Sequence, residues 1–203
     1  MGDMWPLCVD LDGTLVETDT LHEMLLALVR VHPIRALIAL VSIPRVKAHF
    51  KQMVARYSPF DPAALPYRQD LLEWLRSERV AGRKLILAAG ADSKVALAVS
   101  SHLAIFDAVI ASDGRMNLTG ENKARAIRAY LGSGPFLYAG DSRADVKTWS
   151  ASAGAIVVNP TRSRLQALAR AAVPVVRTFS DGPGGRRQSA RRRSYCAPPA
   201  SGS

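Results

Sequence analysis

The stretch that decides the fold is Val9-Asp10-Leu11-Asp12-Gly13-Thr14-Leu15, preceded by the apolar residues Leu7 and Cys8. A short aliphatic run that ends abruptly in carboxylates and a glycine reads as a buried parallel strand, Leu7–Asp10, followed by a tight loop. Asp10 and Asp12 are two residues apart, so in extended geometry both point the same way. Two carboxylates aimed into one crevice repel each other, and a folded protein tolerates this when a cation joins them. In such a pair one carboxylate can attack phosphorus and form an aspartyl phosphate while the other moves the proton. A strand running into a solvated acidic turn is the alternative for Asp-X-Asp alone.

Downstream, similar apolar runs recur between helical patterns. Lys84–Ala89, Ala108–Ala111, Phe136–Ala139 and Ala155–Val158 read as four more buried strands. Helices are predicted at 71–80, 93–102 and 122–131. Strands alternating with helices imply βαβ units that close right-handed. The expected fold is therefore α/β, a Rossmann-like parallel five-stranded sheet flanked by helices. Residues 17–70, punctuated by Pro33, Pro44, Pro59, Pro62 and Pro66, read as a small helical cap inserted after the first strand. The core would comprise 1–16 and 71–177, and 178–203 a disordered basic tail rich in Gly, Ser, Pro and Arg.

In a parallel sheet, ligands bind at the carboxyl ends of strands. Three further places meet that condition. Ala139-Gly140-Asp141-Ser142-Arg143-Ala144-Asp145 delivers Asp141 as a candidate hard-cation ligand, or as a helix N-cap. Asp145, four residues on, would ligate directly or orient the others. Lys123 lies near a helix start, where the macrodipole disfavours positive charge; a phosphate-facing lysine and a surface lysine both fit. After the second strand, Ala89 and Gly90 stand in Ala88-Ala89-Gly90-Ala91-Asp92-Ser93, where backbone amides at a strand-to-helix turn could hold an anion. No side-chain hydroxyl stands at that strand tip.

Composition narrows the classes. The 203 residues are 48% hydrophobic and 22% charged, with formal charge +10. Five Arg and one Asp fall in residues 178–203. Nucleic-acid binding would need clustered basic side chains with aromatic or groove-reading elements, and none occur outside the tail. Two cysteines, Cys8 in an apolar run and Cys196 in the tail, make no disulfide framework, so a cytoplasmic, reducing location is expected. Met24–Ile43 is long and apolar, but Arg30, Arg35 and Pro33 interrupt it, and each charge costs about 2.5–3.5 kcal/mol in mid-bilayer. Two short packed helices, Thr20–Val31 and Ile34–Ile43, are expected instead, with peripheral contact at the cytoplasmic membrane face as the alternative.

Taken together, these motifs resemble those of the haloacid dehalogenase (HAD) superfamily: VDLDGTL its first motif, Lys123 its third, GDSRAD its acidic fourth. The resemblance covers about residues 5–160. It implies an Mg²⁺-dependent phosphohydrolase acting on a small phosphomonoester. Asp10 would be nucleophile and Mg²⁺ ligand; Asp12 would be general acid/base and would ligate metal through its carbonyl. Asp141 would complete the metal site, supported by Asp145, Gly13 and Thr14, with Lys123, Ala89 and Gly90 around the phosphate. More narrowly, DLDGTLVETDTLHE (10–23), LPYRQDLLEWL (65–75), ASDGRMNLTGENKA (111–124) and YAGDSRADVKTW (138–149) resemble the HAD domain that precedes the membrane domain of some bacterial UbiA-type prenyltransferases. That likeness suggests a truncated, frameshifted or stand-alone relative, and association with a membrane or a prenyltransferase domain. One departure stands out. The family's second motif places Thr or Ser where Ala89 stands, and losing such a donor costs roughly 10²–10³ in rate, about 3–4 kcal/mol. A weakly active or non-catalytic domain is the corresponding alternative.

Overall fold

The computed structural model describes residues 4–20, 60–112 and 117–181. The expected cap helices, the greater part of the tail and Cys196 lie outside the described residues.

Six strands form one parallel sheet: β1 (Leu7–Val9), β2 (Leu85–Asp92), β3 (Ala108–Ser112), β4 (Leu137–Gly140), β5 (Gly154–Val158) and β6 (Val175–Phe179), in the order β3-β2-β1-β4-β5-β6. Between them run α1 (Gln69–Val80), α2 (Ser93–Leu103), α3 (Glu121–Leu131), α4 (Asp145–Ser150) and α5 (Arg162–Arg170). The central strands carry almost unbroken Val, Leu, Ile and Ala because helices cover both faces, so each residue of a strand is buried on one side or the other. Alternation divides them. Leu7, Val9, Leu85, Leu87 and Ala139 pack with Leu71 and Leu75 of α1 and Val95 and Val99 of α2. Cys8, Ile86, Tyr138 and Val157 face Ile127 of α3, Trp149 of α4 and Leu168 of α5. Each fully buried Leu or Ile contributes roughly 1.5–3 kcal/mol. Cys8 serves as one more small apolar side chain, with burial pushing its thiol up to about 12.

The expectation of five strands needs one correction. The sixth, β6, is an edge strand in which Val175 is exposed and Arg177 interrupts the apolar pattern. The Arg177 guanidinium lies 5.1 Å from the ring centroids of both Trp74 and Phe179, so its stem and plane cover apolar surface that an aliphatic residue would otherwise cover. The boundary of the core moves with it. Residues 178–181 belong to the fold rather than to a tail: Phe179 is buried, and Asp181 pairs with Arg68 and accepts a hydrogen bond from Asn159 at 2.6 Å.

The chain leaves and re-enters the core through two adjacent segments. Val16 bridges Tyr67 in antiparallel sense, Glu17 N–H donates to the Pro66 carbonyl at 3.0 Å, and Arg68 N–H donates to the Leu15 carbonyl at 3.0 Å. Both segments lie beside the loop that follows β1. That loop sits where strand order reverses, between β1 and β4, the switch point at which open α/β sheets bind ligands.

Candidate active site

The site follows from the ends of β1 and β4. Asp10 N–H donates to the Ala139 carbonyl at 3.0 Å, so Asp10 extends the ladder one residue beyond β1. After Asp10 the chain turns, which alters the basis for pairing it with Asp12. The two carboxylates reach one cavity through a tight loop, not along an extended strand. Gly13 makes the loop possible: its φ is +72°, and a Cβ there would stand 2.5 Å from Asp141 Oδ2. At the end of β4, a Cβ on Gly140 would stand 2.8 Å from Asp145 Cγ. Both glycines are thus required by carboxylates packed against backbone.

Asp10 Oδ1 accepts from Leu11 N–H at 2.8 Å and pairs with Lys123 Nζ at 2.7 Å. Lys123, in the first turn of α3, is only 3% exposed. Its burial would depress the ammonium, but the charges of Asp10 and Asp145 outweigh that and hold it above the usual lysine value. Burial pushes the Asp10 carboxyl up to about 7, with Lys123 opposing and Asp145 and Asp12 adding to the shift. Burial, then the neighbouring Asp145, also raises Asp141. Ionising all of these carboxylates together is costly without more positive charge than Lys123 supplies.

One oxygen each of Asp10, Asp141 and Asp145 lie within 4.8 Å of one another. The three carboxylates differ in what already engages them. Asp145 Oδ2 accepts from Asp141 N–H, Ser142 N–H and Ser142 Oγ at 3.2, 2.9 and 2.6 Å, and Oδ1 accepts from the Tyr138 hydroxyl at 2.6 Å. Among the described residues, Asp141 carries only the Thr14 hydroxyl, at 3.3 Å. Asp145 is therefore fixed by the β4–α4 loop, while Asp141 is presented to the crevice. Asp12 uses Oδ1 to accept from Thr20 N–H at 2.8 Å and stands outside this three-carboxylate cluster while still lining the cavity. An all-oxygen, acidic donor set of this kind fits a hard divalent cation such as Mg²⁺.

The cavity over these groups encloses about 380 Å³. Among the described residues, its wall holds six carboxylates, those of Asp10, Asp12, Glu17, Asp19, Asp141 and Asp145, against the single ammonium of Lys123. A phosphate dianion would be repelled from such a wall unless a cation offset it. Gly90 reaches the cavity, pinned by the Ser112 hydroxyl, which donates to its carbonyl at 2.9 Å. Ala89 does not line the cavity; its methyl lies in the core with Leu87 and Val95. The α2 N-terminus is also unavailable to an exogenous anion, because Asp92 caps it, accepting from Lys94 N–H at 3.0 Å. Of the anion-binding elements expected after β2, Gly90 is the one at the cavity.

Three residues join the site without having been singled out in the sequence. Tyr138, fully buried on β4, takes the Lys123 ammonium at 3.0 Å and donates to Asp145. Arg68, buried just ahead of α1, donates from Nε to the Thr14 carbonyl at 3.1 Å and from a terminal nitrogen to the Gly13 carbonyl at 3.4 Å, holding the loop after Asp12. Thr18 lines the cavity with a buried hydroxyl that has no hydrogen-bond partner among the described residues. A polar-tipped aromatic within a strand of small and aliphatic residues, two positions before Gly140-Asp141, was the available signal for Tyr138.

No protein-family model matches the chain. In sequence, it is 37% identical over 153 residues to the uncharacterized protein y4nM of Sinorhizobium fredii, covering 75% of this chain and 30% of that protein. The chain thus spans about a third of the length of the curated relative it matches. Among solved structures, a protein of unknown function from Bordetella pertussis Tohama I superposes with TM-score 0.63 at 17% identity, over 85% of this chain and 98% of that one. A HAD family hydrolase from Salmonella enterica serovar Typhi gives TM-score 0.56 at 14% identity, over 80% and 66%. A substrate-bound phosphoserine phosphatase gives 0.58 at 12%, over 86% and 94%. At these identities the likeness is one of architecture, and the chain has the α/β fold of the HAD-family phosphatases.

Proposed function

We propose that the protein is an Mg²⁺-dependent phosphohydrolase that cleaves a small phosphomonoester through an aspartyl phosphate on Asp10. The observation that carries this reading is the position of Asp10: at the tip of β1, 2.7 Å from a buried lysine, and within the cluster it makes with Asp141 and Asp145. Bound Mg²⁺ would neutralise these carboxylates and the phosphoryl oxygens and so admit the anion. Asp10 and Asp141 would hold it, with the Asp12 carbonyl as a third oxygen, and Asp145 would fix Asp141 through the loop amides.

The chemistry then falls to the chain's own groups. A carboxylate oxygen of Asp10 attacks phosphorus; the P–O bond to the leaving group breaks, and Asp12 gives that oxygen its proton. Asp12 next takes a proton from water, the water oxygen attacks the acyl phosphate, and inorganic phosphate leaves with Asp10 restored. Lys123 keeps the attacking carboxylate ionised and faces the phosphoryl oxygens. Gly90 supplies backbone contact at the cavity wall. The test is phosphate release from an aryl phosphate with a metal series. Activity with Mg²⁺ that Asp10→Asn removes supports the reading, and equal rates for the two proteins eliminate it.

Ala89 favours a second reading, a weakly active or non-catalytic domain that binds the cation without useful turnover. The 30% coverage of its curated relative is consistent with a domain that works beside another one, and we propose the UbiA-type membrane partner on the sequence likeness alone. Cation titration beside single-turnover phosphate release separates the two readings: cation binding without release supports the second, and release supports the first.

A further inference from the structure

Between Lys123 and Asp145 stands a hydroxyl that the reaction above does not use. Lys123 Nζ is 2.7 Å from Asp10 Oδ1, 3.7 Å from Asp145 Oδ1 and 3.0 Å from the Tyr138 oxygen, which in turn lies 2.6 Å from Asp145 Oδ1. Tyr138 is fully buried, and Trp149 fixes it from two sides: the indole N–H donates to the Tyr138 carbonyl at 3.0 Å, and the two rings pack edge to face at 6.3 Å. The tyrosine ring has little room to turn, so its oxygen is a fixed point between the Lys123 ammonium and the Asp145 carboxylate.

An ammonium 2.7 Å from one buried carboxylate and 3.7 Å from another has two partners within reach. On Asp10 it faces the cavity and the incoming phosphoryl group. On Asp145 it would neutralise a carboxylate of the cluster and loosen the β4–α4 loop that presents Asp141. Coulomb attraction at these distances already favours Asp10. The hydroxyl adds to that preference, because it gives Asp145 a neutral donor and gives Lys123 a neutral acceptor in the space a second ion pair would otherwise close.

We propose that Tyr138 is a positioning residue that holds Lys123 on Asp10 and keeps it off Asp145, so that the acidic cluster remains available to a divalent cation. The proposal rests on reading Asp10, Asp141 and Asp145 as a cation site. Partners hydrogen-bonded to metal ligands typically alter affinity 10- to 100-fold when removed, and loss of the Tyr138 hydroxyl should fall near the lower end.

The experiment is calorimetric titration of Mg²⁺ and Mn²⁺ into wild type, Tyr138→Phe, Lys123→Met and the double variant, without substrate. Thermal melts in EDTA run alongside, to show that Tyr138→Phe is folded. The expected result is roughly tenfold weaker cation binding in Tyr138→Phe and a several-fold smaller effect of the same change in the Lys123→Met background, since the competing ammonium is gone. Wild-type binding with an unchanged affinity in Tyr138→Phe would overturn the proposal and leave the cation site standing. Equal effects in both backgrounds would also overturn it, by showing that Tyr138 does not act through Lys123. No cation binding by wild type would remove the site and the proposal together. A measurement needing no variant is the NOE between the Lys123 ammonium and the Tyr138 ring. It should persist when Mg²⁺ is added, and its disappearance would contradict the positioning role.

Discussion

The tips of β1 and β4 and the tip of β2 border the same cavity, yet they are built in opposite ways. At β1 and β4 the chain gathers Asp10, Asp12, Asp141 and Asp145 around one buried lysine, and spends Gly13 and Gly140 on letting carboxylates touch backbone. At β2, Ala89 turns its methyl into the core, Asp92 occupies the α2 N-terminus, and Gly90 lines the wall. The difference teaches that charge and phosphate contact are separable in this fold. Charged side chains collect where the strand order reverses. One strand away, position 89 carries no hydroxyl and the helix N-terminus is already capped by Asp92.

The largest effect is expected on the charged side. Asp10→Asn removes the attacking oxygen and should lower Mg²⁺-dependent phosphate release at least about 10³-fold while the protein still melts cooperatively. Lys123→Met should follow, with about a 10²-fold loss of kcat/KM. It also strips buried carboxylates of their counter-charge, which costs about 3–5 kcal/mol in urea denaturation if they stay ionised and less as they take up protons. The β2 side predicts almost no change in rate. Ala89→Ser should leave kcat/KM close to the wild-type value, because the added hydroxyl would stand in the core with Leu87 and Val95 and not at the cavity. It should instead cost about 1–3 kcal/mol in urea denaturation, as a buried hydroxyl without a partner. A large gain in rate would put that hydroxyl on the phosphate and erase the contrast between the two walls.

A smaller, purely thermodynamic difference should separate the two sides as well. Asp10 binds its proton more tightly folded than unfolded, its value rising from 3.8 to about 7. Its contribution to stability is then whole below about pH 4 and is lost as pH rises through 7. In EDTA the Tm should decline between pH 5 and 8, Asp10→Asn should flatten that decline, and Mg²⁺ should stabilise the wild type more at pH 8 than at pH 5.

Much of this was legible in the sequence because parallel strands buried on both faces leave continuous aliphatic runs. Runs such as Leu85–Ile86–Leu87 and Ala155–Val158 announce themselves, and the acidic residues that end two of them mark the site. β6 escaped because an edge strand needs only half its surface covered, and Arg177 does part of that covering by lying over Trp74 and Phe179. The role of Asp92 was hidden for a different reason: an aspartate that caps a helix and one that faces a ligand look alike in a string of letters. Tyr138 and Arg68 act through contacts 15 and 54 residues away along the chain, a separation that no local pattern encodes. The pairing of Asp10 with Asp12 was right about the shared cavity, although a tight turn and not strand alternation brings it about.

The central claim is that Asp10 meets phosphorus beside a divalent cation. Acid-quenched turnover of an aryl phosphate, followed by peptide mass spectrometry, tests it most directly. We expect a phosphoryl group on Asp10 in the wild type with Mg²⁺, absent in EDTA and in Asp10→Asn. Turnover that proceeds with Asp10 unmodified, or that labels another residue, would contradict the account.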